Sequence, residues 1–149
     1  MVMTEQDSRL AARIKLVEEH VDAENDHDLD RLMATFGAAP TYALNTEHFL
    51  GQDGVRSWYA ELMQGFPDFR IDVQHQHDSA DAITLEVIVR GTHRGELLGI
   101  PPTGKEITLA AMETYRLAGG KIAEQWVVID ALGLMQQLGA IGVPGQASP

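Results

Sequence analysis

The chain has 149 residues, 44% hydrophobic and 22% charged, and its 11 basic against 22 acidic residues give a net charge of −11. That length suits a single domain, and the acidic balance repels phosphate backbones and anionic membranes, which argues against nucleic acid or a membrane surface as partner. With no cysteine, disulfides, thiolate zinc sites and a cysteine nucleophile are excluded; with no apolar run of signal or membrane-spanning length, a cytoplasmic protein is expected.

Ser8 to Asn25 reads as an amphipathic helix with Leu10, Ile14, Val17 and Val21 as its apolar stripe and Ser8 as N-cap. A second helix is predicted from about Asp28 to Phe36, a short strand from Pro40 to Asn45, and a third helix from Asp53 to Gln64, stopped by Gly65 and Pro67. From Phe69 the hydrophobic period changes to two. Phe69, Ile71, Val73, His75 and His77 share one face of a half-buried strand, and Ile83, Leu85, Val87, Val89 and His93 share a face of the next. Two more strands, Glu106 to Leu117 and the segment after it, join at Ala118-Gly119-Gly120, a hairpin signal. A final helix runs from Ala131 to Leu138, and the tail GVPGQASP is expected to fray. Helices first and antiparallel strands after indicate an α+β domain over residues 1–149, with about 8–140 as its ordered core.

One residue breaks the pattern. Ile107, Leu109, Ala111, Glu113, Tyr115 and Leu117 fall on one face, so Glu113 is a carboxyl on an otherwise apolar, inward face. Burial there should raise its pKa toward neutrality and suit a general acid/base; the alternative is a structural pair with an inward histidine or arginine. His93, following the apolar parity of its strand, is a candidate partner for Glu113, or a core histidine bonded in the turn. His75 and His77 face alike and with His93 could hold a metal, but the spacing is weak, and His75 reads better as a cavity-facing group. Gln125, Val127 and Ile129 share a face, on which Gln125 would orient a carbonyl or a water. Asp130 reads first as the N-cap of the last helix.

The turn G-I-P-P-T-G (99–104), then G-K-I-A-E-Q-W (120–126), then D-A-L-G-L-M-Q-Q-L-G (130–139), together resemble the SnoaL-like polyketide cyclases of the nuclear transport factor 2-like superfamily. The resemblance implies a cone: N-terminal helices packed on a curved, mostly antiparallel sheet that encloses an apolar cavity. It implies acid/base chemistry without metal or organic cofactor, and a homodimer or higher homo-oligomer. It places Tyr42, Asn45, Trp58 and Tyr59 where cavity residues often occur. The catalytic aspartate of those cyclases falls at Val127 and the histidine of the preceding strand at Glu113, while a second acid is retained as Asp130. The cyclase constellation is therefore not carried over intact, and Glu113 is the residue in a position to have taken the proton-transfer role.

The sequence supports a small enzyme acting on an apolar oxygenated ligand by aldol-type cyclisation, isomerisation or dehydration. Glu113, His93 and Asp130 are its candidate catalytic groups, and Gln125, Tyr42, Asn45, Trp58, His75 and Val127 its candidate ligand contacts. Epoxide or ester hydrolysis is a variant in which the same carboxyl activates water. A non-catalytic binder, favoured by Val127, and a dimerising scaffold are the other readings.

Overall fold

The computed structural model describes residues 2–142 and 145, so the expectation of a frayed tail lies almost wholly outside the described residues. The first helix, α1 (Glu5–Asn25), starts earlier than Ser8. Thr4 caps it: its hydroxyl accepts from Asp7 N at 3.1 Å while the Asp7 carboxylate accepts from Thr4 N at 3.2 Å. This reciprocal box satisfies two orphan donors at once, which a lone serine cannot. The second helix, α2 (Leu29–Met33), is capped by Asp28 and ends before Phe36, which opens strand β1 (Phe36–Leu44).

β1 begins earlier than the expected Pro40, and its pairing shifts register between Phe36 and Thr41. Pro40 has no N–H for a ladder, so the GAAP segment bulges instead of pairing. The residues after Asn45 form a short strand, β2 (Glu47–Leu50), for which the sequence reading predicts no element. Helix α3 (Gly51–Gly65) follows. Four strands complete the sheet with β1 and β2: β3 (Arg70–Asp78), β4 (Ala82–Thr92), β5 (Glu106–Ala118) and β6 (Lys121–Ile129), and α4 (Ala131–Gln137) ends the described elements.

The six strands run in the order β2-β1-β6-β5-β4-β3. Every neighbouring pair is antiparallel except β1 with β6. This is a mixed, open sheet with the helices packed on one face. β4 and β5 alternate as expected: Ile83, Leu85, Val87 and Val89 oppose Tyr115, Glu113, Ala111 and Leu109, all buried. Burying each such aliphatic side chain stabilises the fold by about 1.5–3 kcal/mol. The β5–β6 turn has positive φ at Gly119 (60°) and Gly120 (74°), the type I′ geometry that matches strand twist. Gln137 ties α4 to β5, accepting from Thr108 N at 2.8 Å and donating to Thr108 O at 3.0 Å.

β3 departs from the half-buried strand expected. It lies at the sheet edge, its register shifts between Val73 and His75, and Ile71 is its one fully buried residue. The bulge after Val73 reverses the parity: Val73 still pairs with buried Val87, but His75 and His77 pair with Glu86 and Thr84 on the outer face, a common way of blunting an edge. No helix among the described residues is long and apolar enough to cross a membrane.

Candidate functional site

On α1, residues spaced i, i+3, i+4 and i+7 share a face, and Val17, His20, Val21 and Glu24 are all buried. The helix thus brings an imidazole and a carboxyl to the same interior that β5 supplies with Glu113 and Tyr115. β1 adds Tyr42, α3 adds Trp58 and Tyr59, and β6 adds Gln125; each is at most 4% exposed.

Within this interior lies an apolar cavity of about 60 Å³. A buried water needs roughly 10–15 Å³ on this measure, so the space suits a few waters or one small organic molecule. Two carboxyls, Glu24 and Glu113, reach its wall, with Tyr42, Trp58, Phe66 and Phe69 as aromatic surfaces and no lysine or arginine among the lining residues. Its outer edge is the turn Leu97–Ile100, closed by backbone bonds of 3.1 and 2.8 Å with φ positive at Leu98 (51°) and Gly99 (75°). Glu61 of α3 holds that turn by accepting from Leu98 N at 3.3 Å. A larger hollow, about 1260 Å³, opens between the start of α1 and the β5–β6 turn. Its lining mixes polar and charged groups of α1 with Ala12, Leu16, Ala80 and Leu117 and includes none of the buried titratable groups, so it is a surface groove rather than a reaction chamber.

The hydrogen bonds around the cavity have a direction. Tyr115 donates to Glu113 Oε2 at 2.6 Å. With that proton spent, the Tyr115 oxygen accepts from Gln125 Nε2 at 3.4 Å, which turns the Gln125 carbonyl toward Tyr59, whose hydroxyl donates to it at 2.8 Å. The chain Tyr59 to Gln125 to Tyr115 to Glu113 therefore ends on the carboxyl. Burial pushes Glu113 up from 4.5 to about 7, with the Tyr115 bond pulling the other way. Burial also raises Glu24 well above the usual carboxylate range, and the neighbouring Glu113 raises it further. His20 is driven down to about 3 by burial, so its approach to Glu24 (Nε2 to Oε2, 3.7 Å) is not an ion pair.

Glu113 thus occupies the position expected of it, inward, free of a basic partner and beside an opening. It pairs directly across the ladder with Val127, so it projects from the strand next to the site of the family's aspartate. Val127 is buried, though it does not line the cavity. Tyr42 and Trp58 line the cavity, and Gln125 acts behind it through Tyr115.

Four candidates lie elsewhere. His93 is fully buried but bonds Thr103 Oγ1 at 3.0 Å through Nδ1. Glu113 sits opposite Leu85, about 27 Å from His93 at ~3.4 Å per residue, so the two cannot meet. His75 is exposed beyond the β3 bulge, and neighbouring His77 engages Glu86 at 2.5 Å. Asp130 is exposed and caps α4, accepting from Gly133 N at 2.8 Å. Asn45 has φ 53° and accepts from Ile129 N at 2.9 Å, pinning the β1–β2 turn to β6. The residues missed were His20 and Glu24. Continuing the Val17–Val21 stripe by one helical turn reaches both, but a polar residue on such a stripe is more often at the solvent border.

Residues 14–138 match the family model for SnoaL-like polyketide cyclase. Among solved structures, AclR from Streptomyces galilaeus, a proposed hydroxylase, is 26% identical with a TM-score of 0.79, the match covering 89% of this chain and 99% of AclR. IdmH from Streptomyces antibioticus, a proposed polyketide cyclase, is 26% identical with a TM-score of 0.69 over 84% of this chain and 96% of its own. A proposed SnoaL-like cyclase from Jannaschia sp. CCS1 shares the fold at a TM-score of 0.81 and 20% identity, covering 89% and 94%. Comparison with curated protein sequences finds no match. The motif order read from the sequence, the open cone of six strands and the matched model agree: the chain belongs to the SnoaL-like polyketide cyclase family, on the nuclear transport factor 2-like fold.

Proposed function

We propose that this protein is an acid/base enzyme that moves a proton next to a carbonyl of a small apolar, oxygenated molecule. Aldol-type cyclisation, isomerisation and dehydration all begin with that step. The observation that carries the reading is Glu113: a carboxyl 4% exposed, on the wall of an apolar cavity, with a tyrosine donor and no basic partner. A base poised near neutral pH is most effective when its pKa lies near the working pH, and about 7 meets that condition. Tyr42 and Trp58 shape the ligand's apolar surroundings, and Trp58 Nε1, buried without an acceptor, is placed to donate to a ligand oxygen. Tyr59, Gln125 and Tyr115 position the Glu113 carboxylate. The family membership and the proposed polyketide cyclase assignment of IdmH support polyketide-like substrates.

A non-catalytic binder is the second reading, and Val127 at the family's aspartate position favours it. On either reading, the outward side chains Met112, Trp126 and Val128, clustered on β5 and β6 and 42–53% exposed, support self-association across the sheet. Exchange of the α-protons of cyclohexanone into D₂O, followed by proton NMR, separates the two readings. Catalysed exchange that Glu113→Gln abolishes supports the enzyme. Cyclohexanone bound without any exchange supports the binder.

A further inference from the structure

The second carboxyl in the cavity has no role in the reading above, and its surroundings assign it one. Thr35 Oγ1 donates to Leu32 O at 2.6 Å, so its single proton is spent, and it accepts from His20 Nδ1 at 2.9 Å. His20 Nδ1 is therefore the protonated ring nitrogen, and Nε2 is a bare lone pair. Tyr59 lies 3.3 Å from that lone pair, but its proton goes to Gln125 Oε1, the nearer acceptor at 2.8 Å. What faces His20 Nε2 is Glu24 Oε2, at 3.7 Å, buried and with no other hydrogen-bond partner. Two bare acceptors turned toward each other in a buried interior repel, and a proton on Glu24 removes the repulsion. Glu113 is treated in the opposite way, since the directed chain of donors ends on it and favours its ionised form.

We propose that Glu24 is the second catalytic group of the cavity, a carboxylic acid that gives its proton to a substrate carbonyl oxygen while Glu113 takes one from the adjacent carbon. The inference rests on the reading of this cavity as a site of carbonyl enolisation, and it names the substrate class: a neutral ketone bearing a hydrogen on the neighbouring carbon. The C–H bond breaks and its proton forms an O–H bond on Glu113. The C–H electron pair becomes the C=C bond of an enol. The carbonyl π pair takes the Glu24 proton, leaving Glu24 ionised and Glu113 neutral. Reversal, or addition of the enol to a second carbonyl, returns both protons. No cation lines the wall to hold an anionic substrate. The titratable groups facing the pair are His20 from α1, Tyr42 from β1, Tyr59 from α3 and Tyr115 from β5, each buried and held neutral chiefly by burial.

The test is a pH titration of the full-chain protein with carbon-13 in its glutamate carboxyls, read by NMR without substrate. Glu24 is expected to keep the chemical shift of a protonated acid while Glu113 ionises near 7. Glu24 titrating in the ordinary carboxylate range, or ionising before Glu113, overturns the assignment. In the cyclohexanone exchange assay, Glu24→Gln keeps a hydrogen-bond donor but cannot pass on a proton, and is expected to slow exchange by about a hundredfold or more. Unchanged exchange overturns the catalytic role. The titration stands alone if that variant does not fold. Absence of exchange in the wild type, with Glu24 still protonated, would instead sink the enolisation reading.

Discussion

Replacing Glu113 by glutamine removes one titration and leaves nearly the same shape. The carboxyl's pKa is 4.5 in its ordinary state and about 7 in the fold. Between those values the native protein holds a proton that the unfolded chain has released, so the stability of the wild type falls as pH rises. The contribution is fully present below about 4.5 and lost once the pH passes about 7. At about 1.4 kcal/mol per pH unit, the window costs the wild type about 3 kcal/mol. Glutamine cannot titrate, and other groups largely cancel in the difference. Urea denaturation of both proteins from pH 4.5 to 8 should therefore show the variant gaining about 3 kcal/mol on the wild type, roughly 6–12 °C in Tm for a chain of this size. A difference that stays flat with pH, or that favours the wild type as pH rises, would refute the assignment of a buried, unpaired acid.

His20 should show the reverse slope. Its pKa falls from 6.5 to about 3, so the stability of its neutral form is present above 6.5 and lost as pH falls toward 3. Relative to His20→Asn, the wild type should lose about 5 kcal/mol across that window in the same denaturation series. Asp130→Ala removes the α4 cap and should cost about 1 kcal/mol in urea while leaving cyclohexanone exchange unchanged. Gly95→Ala drives a Cβ into the Gln64 carbonyl where the Leu97–Ile100 turn meets α3. It should lower stability by about 1–3 kcal/mol, measurable as a fall in Tm.

The period-two pattern of β4 and β5 was legible because each strand has one face on the core, and that parity alone pointed Glu113 inward. β3 was misread because a bulge changes parity without any composition signal: His75 and His77 continue the alternation of Ile71 and Val73 in the sequence but not in space. β2 was missed because EHFL is shorter than any periodicity test can resolve. His93 and Glu113 share apolar parity on adjacent strands, yet parity says which face a residue occupies and not how far along the ladder it lies. Register decided against their meeting. Glu24 and His20 escaped for another reason. Their burial depends on long-range packing, since it is β5, α3 and β6 that bring Glu113, Tyr59 and Gln125 against the last turns of α1. No local pattern on α1 reports that.

The pH dependence of cyclohexanone exchange in the wild-type protein bears most directly on whether a buried carboxyl does the chemistry. Exchange should rise with pH through an inflection near 7, as Glu113 becomes a base, and the inflection should vanish in Glu113→Gln. An inflection near 4.5, the mark of an ordinary solvated carboxylate, or a profile that survives the substitution, would contradict the account.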